Sequence, residues 1–243
     1  MLTLYCNSFA GKDPWYSQFN QKTLMCGSHF LSDEIKQQCL TKQYILDDTG
    51  DNISHLNHLL GDLTGLYWVW KNTNDEFVGT NQYCRHYDEQ DLVSKGPLNK
   101  NTLYVSFIRM FNMSVWDQYI FYHGTLGINM LSKAAREGKI SLTEQMVDSL
   151  YYTNQLSACN MFFAYRPIFD RLCAILFEIL FELYEGSKYI IEFVQQGMHV
   201  QRNPNEKRLL AFLAERILTI IYNQSNYFFG PINVVPINDK NYD

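Results

Sequence analysis

The segment from Tyr44 to Tyr87 reads YILDDTGDNISHLNHLLGDLTGLYWVWKNTNDEFVGTNQYCRHY and predicts, in order, an acidic turn, a helix and a strand. From Asp62 to Asn72 the apolar residues fall three and four positions apart, which is the spacing of a helix with one buried face. A polar loop follows, and Glu76–Thr80 has the aromatic and β-branched composition of a strand. A helix that leads into a strand is half of the repeating unit of α/β sheets, so this segment favours that class.

The rest of the chain continues the α/β pattern and becomes mostly helical in its second half. Hydrophobic periodicity predicts these further elements: strands at Leu2–Cys6 and Leu103–Ile108, a short helix within Asp33–Lys42, and long helices at Tyr165–Glu185 and Glu206–Tyr222. Ser141, followed by Glu144 three residues later, has the pattern of another helix start. Pro231 and Pro236 predict an extended tail that forms an edge strand or lies on the surface.

Composition narrows the class of protein. A chain of 243 residues with 47% hydrophobic content can fill the core of one large mixed α/β domain. Its formal net charge of −5 argues against broad nucleic-acid binding through phosphate neutralisation. The six cysteines are scattered, which predicts reduced thiols rather than a zinc site or a disulfide scaffold. Neither a leader pattern nor an apolar run of about 20 residues is found, so a cytoplasmic location is expected.

Several motifs occur together in an order that is typical of one family. They are Asp47–Ser54, Asp62–Asn72 and Phe77–Gly79 in the first half, then Asn160–Phe163, Ile168–Asp170 and Leu176–Leu180, and finally Phe212–Arg216. This order resembles the bacterial glycosyltransferases of capsular polysaccharide and O-antigen synthesis, a family long labelled a domain of unknown function. The resemblance covers roughly residues 20–222, and it identifies the second group of motifs as the family's central helical signature.

The resemblance implies an α/β fold, specifically a GT-A-like, Rossmann-type mixed sheet flanked by helices, with a mostly helical C-terminal half. One domain is expected over residues 1–243. Residues 1–110 would form its nucleotide-sugar-binding α/β part, residues 111–230 its helical acceptor side, and residues 231–243 an extended tail. Open α/β sheets bind ligands beyond the carboxyl ends of their strands, so the donor is expected there.

The function implied is transfer of a sugar from a nucleoside-diphosphate sugar, with a UDP-sugar favoured, to a cell-surface glycan of capsule, O-antigen or lipopolysaccharide. The partners would be this donor and an oligosaccharide or lipid-linked glycan acceptor, with no nucleic acid. A lipid-linked acceptor would bring the protein to the inner face of the cytoplasmic membrane as a peripheral protein. The alternative is a catalytically inactive glycan- or nucleotide-binding protein on the same scaffold.

The acidic loop and the aromatic helix supply most of the candidate donor-binding residues. They are Asp47, Asp48, Asp51, Asn52, Trp68 and Lys71. Carboxylates bind hard cations or ribose hydroxyls, and aromatic faces stack on bases and sugars. The alternative readings are structural: Asp and Asn form turns and caps, tryptophans on an amphipathic helix belong to the core, and Lys71 complements the helix dipole.

The run after the Phe77–Gly79 strand departs from the family pattern. The family has His-Tyr-Arg-Arg-Tyr there, whereas this chain keeps Tyr83, a further candidate donor-binding residue, and Arg85, but has Gln82 and Cys84 in place of the histidine and the first arginine. No Asp-x-Asp metal motif follows this strand. Arg85 is therefore a candidate to stabilise the departing diphosphate in place of a metal, because guanidinium binds phosphate oxygens in a bidentate fork. A divalent Mn or Mg ion stays an alternative without a motif to support it.

The candidate catalytic bases are two carboxylates. Glu215 shares a mostly apolar helical face with Phe212 and Arg208, where a carboxylate would have a tuned pKa. Its structural alternative is a buried ion pair with Arg208, which is itself a candidate phosphate clamp. Asp62, where the family has glutamate, is the rival base. The resemblance implies that two residues of the central signature, Asn160 and Met161, bind the acceptor.

Overall fold

The computed structural model describes residues 1–10, 12–14, 19–106, 108–195, 208–224 and 228–236. Within these residues the strands are β1 (Leu2–Ser8), β2 (Asn20–Met25), β3 (Ile45–Leu46), β4 (Phe77–Gln82), β5 (Arg85–Tyr87), β6 (Thr102–Ser106), β7 (Ile108–Met110), β8 (Gln155–Ser157), β9 (Phe162–Tyr165), β10 (Phe228–Ile232) and β11 (Val234–Pro236). The α-helices are α1 (Asp33–Thr41), α2 (Asn57–Leu60), α3 (Leu63–Asn72), α4 (Glu89–Ser94), α5 (Val115–His123), α6 (Leu126–Arg136), α7 (Glu144–Asp148), α8 (Arg166–Gln195) and α9 (Leu209–Gln224).

The main sheet is mixed and mostly parallel, with the order β10-β6-β9-β4-β1-β2-β3. Strands β4, β1, β2 and β3 pair in parallel, as do β6 and β10. Strand β9 lies antiparallel between β4 and β6, and so is the reversed strand of this path. Every residue of β1 is buried, as expected for a parallel strand covered on both faces. The predicted mixed sheet flanked by helices is confirmed.

Two hydrophobic clusters cover the two faces of the sheet. Phe162 and Ala164 of β9 belong to the larger cluster, which the helices α3, α8 and α9 help to build. Met161 and Phe163 belong to the smaller cluster on the opposite face. The helices of the second half therefore pack mainly on one face, and none of those described is long and apolar enough to span a bilayer.

The structure corrects several sequence-based boundaries. Phe162 and Phe163, which belong to the central helical signature, lie in strand β9, and helix α8 begins at Arg166, one residue after the predicted start. Thr143 rather than Ser141 caps α7, because its hydroxyl accepts a hydrogen bond from the Met146 N–H. The single strand predicted at Leu103–Ile108 is divided, with β6 ending at Ser106 and β7 starting at Ile108.

The described part of the C-terminal tail forms a strand of the main sheet. Strand β11 pairs antiparallel with β5, and β5 pairs antiparallel with the end of β4. The Asn233 N–H donates to the Asp91 carboxylate, and its carbonyl accepts from the Asp88 N–H. The predicted edge strand is thus present, while residues 237–243 and the predicted helix start at Glu206 lie outside the described residues.

Asp47 fixes the start of α3, which carries Asp62 at its amino-terminal end. The side chain is fully buried, and its Oδ2 accepts bonds from the Gly27 N–H (2.9 Å) and the Thr64 hydroxyl (2.7 Å). Its Oδ1 accepts from the Ser28 N–H (2.9 Å) and the Ser54 hydroxyl (2.5 Å). Four charge-assisted bonds offset the cost of burying this carboxylate and join the ends of β2 and β3 to α3.

We expect Asp47→Asn to lower the free energy of unfolding by about 3 kcal/mol, because bonds to charged groups contribute more than neutral ones. Each carboxylate oxygen accepts a backbone N–H, so either orientation of the new amide places an NH2 group against a backbone donor. Urea unfolding measures the change. Asp48→Asn is the matched control, since Asp48 only pairs with Lys36 near the surface and should change stability by about 0–1 kcal/mol. Equal losses in both variants would contradict the assigned role of Asp47.

The close contact of β4 with β9 requires glycine at position 79. A Cβ at Gly79 would lie 2.2 Å from Phe163 Cβ and 2.3 Å from the Phe162 carbonyl oxygen. We expect Gly79→Ala to destabilise the protein by about 1–3 kcal/mol or more, because the packed backbone has to move. Gly186→Ala in α8 is the control, since a Cβ there meets nothing within 4 Å and alanine favours a helix. Urea unfolding should separate the two variants, and an unchanged midpoint for Gly79→Ala would be inconsistent with this packing.

Candidate active site

A cavity of about 750 Å³ opens where the parallel strands β1 and β4 end. Phe9, Ala10 and Lys12 line it after β1, and Gln82, Tyr83, Cys84 and Arg85 line it after β4. Asp62 contributes from the start of α3, and the other walls come from α5, α9, β7 and the loop before β9. This is the carboxyl-end position that open α/β sheets use for ligands.

A row of three polar side chains forms one wall. The Gln82 side-chain amide donates to Asp62 Oδ2 (2.7 Å) and to the Cys159 carbonyl (3.0 Å). The Gln82 carbonyl oxygen accepts from Arg85 Nη1 (2.9 Å). A neutral amide therefore stands between the carboxylate and the guanidinium, holding both in place without letting them pair directly.

A second carboxylate, Glu215 of α9, is held on both of its oxygens. Oε1 accepts from the Cys159 N–H (2.7 Å), and Oε2 accepts from Arg216 Nη1 (2.7 Å). Arg216 is fully buried, and its Nη2 donates to the Gln118 side-chain oxygen. The expected alternative of a Glu215–Arg208 ion pair is wrong in its partner: the pair forms with Arg216, the next residue in the chain.

The two carboxylates have different environments. Burial, together with the nearby Glu215 charge, raises the pKa of Asp62 to about 6, although the Gln82 bond works in the opposite direction. Glu215 instead has a guanidinium against one oxygen. The site thus contains one carboxyl with a raised pKa and one carboxyl that is paired with a buried guanidinium.

The loop that joins β8 to β9 has an unusual backbone at the cavity wall. Cys159 and Asn160 have φ values of 75° and 50°, although neither is glycine. The Cys159 N–H bond to Glu215 and the bond from Asn160 Nδ2 to the Ala211 carbonyl (3.3 Å) hold this loop against α9. Two successive left-handed residues are costly, and such strain is concentrated at functional sites.

The cavity carries an excess of positive charge on an acidic protein. Five cationic side chains line it against two carboxylates, Asp62 and Glu215. The cations are Lys12, Arg85, Arg109, Arg208 and Arg216. Because the whole chain has a formal net charge of −5, this concentration of cations in a concave site favours an anionic ligand there.

Six of the residues predicted from the sequence meet at this cavity. They are Asp62, Arg85, Glu215, Tyr83, Arg208 and Asn160. Met161, predicted to bind the acceptor, is instead buried in the smaller hydrophobic cluster with Phe163. Its position inside the sheet layer removes it from any ligand.

The remaining predicted donor residues form a structural layer beneath the site. Asp47 is the buried carboxylate that holds the start of α3, and Asp48 forms an ion pair with Lys36. Asp51 accepts from the Tyr67 hydroxyl (3.1 Å), and Asn52 accepts from the Ser54 N–H (3.2 Å). The turn-and-cap reading of this loop is therefore the one that the structure supports.

The aromatic helix α3 also serves packing. The Trp68 indole N–H donates to the Thr49 carbonyl (2.8 Å), and Trp70 stacks on Phe177 of α8 with their rings 4° from parallel. Lys71 lies with its Nζ 3.6 Å from the centre of the Trp70 ring. Neither Trp68 nor Lys71 lines the cavity, so the donor-binding role predicted for them is not supported by their positions.

Sequence reasoning missed several residues that line the cavity. These are Phe9, Lys12, Arg109, Phe111, Gln118, Tyr122, Cys159 and Phe212. Most lie on segments whose local pattern indicates only a loop or an amphipathic helix. Of these, only Phe212 belongs to a recognisable motif, Phe212–Arg216, and that motif indicates Glu215 but not its partner Arg216.

The described residues offer little to a metal ion. No group of three or more His, Cys, Asp or Glu side chains among them is placed to hold one. The two carboxylates of the cavity accept hydrogen bonds from protein groups on Asp62 Oδ2 and on both oxygens of Glu215. The donor set therefore does not fit a divalent cation held by the protein alone.

Comparison with known proteins gives a family and a similar fold. Residues 28–226 match the family described as Domain of unknown function (DUF4422). The structure is similar to the apo structure of WbbM, a bifunctional glycosyltransferase, with a TM-score of 0.70 and 19% sequence identity. The similarity covers 98% of this chain but 45% of that one, so the chain spans less than half of that protein's length. No curated protein matches the sequence. By its sequence the chain belongs to the DUF4422 family, and its fold is similar to that of the WbbM structure.

Proposed function

We propose that this protein is a glycosyltransferase that moves a sugar from a nucleoside-diphosphate sugar to a hydroxyl group of a cell-surface glycan. One observation carries the proposal: at the carboxyl ends of β1 and β4, a fixed guanidinium and a carboxyl with a pKa of about 6 face the same cationic cavity. The fold shared with WbbM and the family membership support it. A UDP-sugar is the donor that we favour, and the acceptor would be an oligosaccharide or a lipid-linked glycan met at the inner membrane face.

Arg85 would bind the diphosphate of the donor. Its guanidinium is oriented by Gln82, which keeps it from collapsing onto Asp62. A pre-oriented guanidinium gives bidentate bonds to phosphate oxygens and stabilises the charge that develops as the diphosphate departs. Since the cavity carboxylates accept hydrogen bonds from protein groups, we propose that cationic side chains stabilise the departing diphosphate without a divalent metal ion.

Tyr83 and Phe9 would hold the nucleoside part. Their rings meet edge to face with centroids 6.0 Å apart, and Lys12 Nζ lies 5.1 Å from the centre of the Tyr83 ring. An aromatic pair next to cationic groups suits a flat base that is attached to phosphates.

Asp62 would act as the base that activates the acceptor. The acceptor oxygen forms a bond to the anomeric carbon, its proton passes to Asp62, and the bond from that carbon to the diphosphate oxygen breaks. The electron pair of that bond leaves with the diphosphate, where Arg85 stabilises it. A base with a pKa near the working pH combines the correct ionisation with useful basicity. Glu215 is held by Arg216 and Cys159. It would position the loop between β8 and β9, which forms part of the cavity wall, rather than take the proton.

Calorimetric titration with UDP, GDP and CMP tests donor binding, and we expect one of them to bind. Arg85→Gln should weaken that binding by about tenfold or more, because a charge-assisted bond contributes about 1.5–3 kcal/mol. Arg136→Gln is the control, since Arg136 is an exposed arginine paired with Glu144 outside the cavity. Binding that is equal in both variants would remove Arg85 from the proposed site.

The same titration with manganese or with EDTA tests how the diphosphate is held. We expect similar affinity in the two conditions, because the cationic side chains are part of the protein. A strict requirement for manganese would contradict the metal-free proposal. No binding of any nucleotide would contradict the transferase proposal, and binding without turnover would favour a non-catalytic binding protein.

Activity should depend on the ionisation of Asp62. Since the base has to be charged, we expect kcat/KM to rise as the pH rises through about 6 and then to level off. Asp62→Asn should lower kcat by about 10²–10⁴-fold, the range for a lost general base. The measurement is the pH profile of sugar transfer for the wild type and this variant.

A stability measurement separates this effect from unfolding. Because burial raises the pKa of Asp62, the folded protein prefers the protonated form, and its stability contribution is full below about pH 4 and lost as the pH rises through about 6. Asp62→Asn should therefore be no less stable than the wild type at pH 7. The Glu215→Gln variant should be less stable than the wild type, because its pair with Arg216 is lost. Its kcat/KM should still rise as the pH rises through about 6. Loss of this rise in Glu215→Gln but not in Asp62→Asn would identify Glu215 as the base.

A further inference from the structure

The cavity has a second part, on the side of α5 and α9. It differs from the wall formed by Asp62, Gln82 and Arg85, the Arg85 wall. Phe111, Tyr122, His123 and Phe212 line this second part. His123 of α5 stacks on Phe212 of α9 with ring centroids 4.0 Å apart and an interplanar angle of 16°. Each ring covers one face of the other, and Phe212, which is the more exposed of the two, presents its outer side to the cavity as an aromatic surface.

His123 is held neutral at this surface. Its side chain is 9% exposed, and burial together with the nearby Arg216 lowers its pKa to about 3. Among the described residues its Nδ1 is buried with no hydrogen-bond partner. A buried N–H without a partner is rarer than a bare acceptor, so the proton belongs on Nε2. The cavity wall therefore gains a neutral N–H donor next to an aromatic face.

The surface lies across the carboxylates from Arg85. Gln82 links Asp62 to the Cys159 carbonyl, and the Cys159 N–H links to Glu215. Glu215 then pairs with Arg216, which bonds to Gln118, one and a half turns before His123 on α5. A donor bound at Arg85 would thus have the carboxylates beside its reacting end and this aromatic surface beyond them.

The chemistry of this surface suits a sugar ring. A pyranose has an apolar face of C–H groups, which packs on an aromatic ring, and hydroxyl groups at its edge, which accept hydrogen bonds from a neutral donor. A nucleoside diphosphate would instead favour the cationic wall.

We infer that His123 and Phe212, with Tyr122 beside them, form the subsite that binds the acceptor through an uncharged pyranose ring, so that its hydroxyl faces Asp62. This inference rests on the proposed function, because it takes the Arg85 wall as the donor site. The Phe212 ring supplies the stacking face, and His123 supplies the N–H group that selects a hydroxyl.

Saturation-transfer NMR with a panel of methyl pyranosides, recorded with UDP present, tests the subsite. We expect at least one pyranoside to receive saturation at its ring C–H groups in the wild type. His123→Phe keeps an aromatic ring but removes the N–H donor, and should weaken pyranoside binding about threefold to tenfold, as expected for one hydrogen bond. Phe212→Leu keeps an apolar side chain but removes the flat ring face, and it should weaken pyranoside binding similarly. It also tests the subsite if His123→Phe does not fold.

His58→Phe is the matched control, because His58 is exposed and lies outside the cavity. It should bind pyranosides like the wild type. The UDP affinity of both subsite variants should also be unchanged, a result that a general loss of structure would not give.

The outcomes separate this inference from the proposed function. UDP binding that depends on Arg85, together with pyranoside binding unaffected by His123→Phe and Phe212→Leu, would overturn the subsite and leave the donor site standing. Pyranoside binding that depends on the two rings without any nucleotide binding would support a sugar site and contradict the transferase. Absence of pyranoside binding to the wild type would overturn the inference.

Discussion

The buried carboxylate of Asp47 is the interaction on which the site most depends. Four donors from three separate segments converge on its two oxygens. A buried charge without a cation is tolerated only when such bonds replace its water shell. Through Thr64 this arrangement sets where α3 begins, and so where Asp62 meets Gln82.

The site illustrates how one cavity gives two carboxyl groups different properties. Asp62 is bonded by a neutral amide and desolvated, so it holds its proton up to about pH 6. Glu215 is bonded by a guanidinium and a backbone N–H. Arg216 is the residue that gives Glu215 these different surroundings, because its guanidinium is held between Glu215 and Gln118.

Much of the fold follows from the sequence, and the failures have physical reasons. Helix α3 and strand β4 have clear periodicity and were predicted closely. Strand β9 was hidden, because Phe162 and Phe163 face two different hydrophobic clusters and a strand buried on both faces shows no alternation. Composition could not tell whether Asp47 is solvated or buried, since its donors come from distant segments. Helical spacing suggested Arg208 as the partner of Glu215, whereas the contact of Arg216 with Gln118 on another helix decided the pairing.

The pairing of β5 with β11 has a consequence for how the protein is made. Arg85 lies opposite Pro236 in that pairing, so the strand that carries it is flanked by a segment about 150 residues later in the chain. Contacts of such long sequence separation form slowly, because the intervening chain has to be ordered first. During synthesis the strand of Arg85 would stay without this partner until residues 234–236 leave the ribosome. Among the described strands, the pairing that borders Arg85 would therefore be the last to become available in a nascent chain.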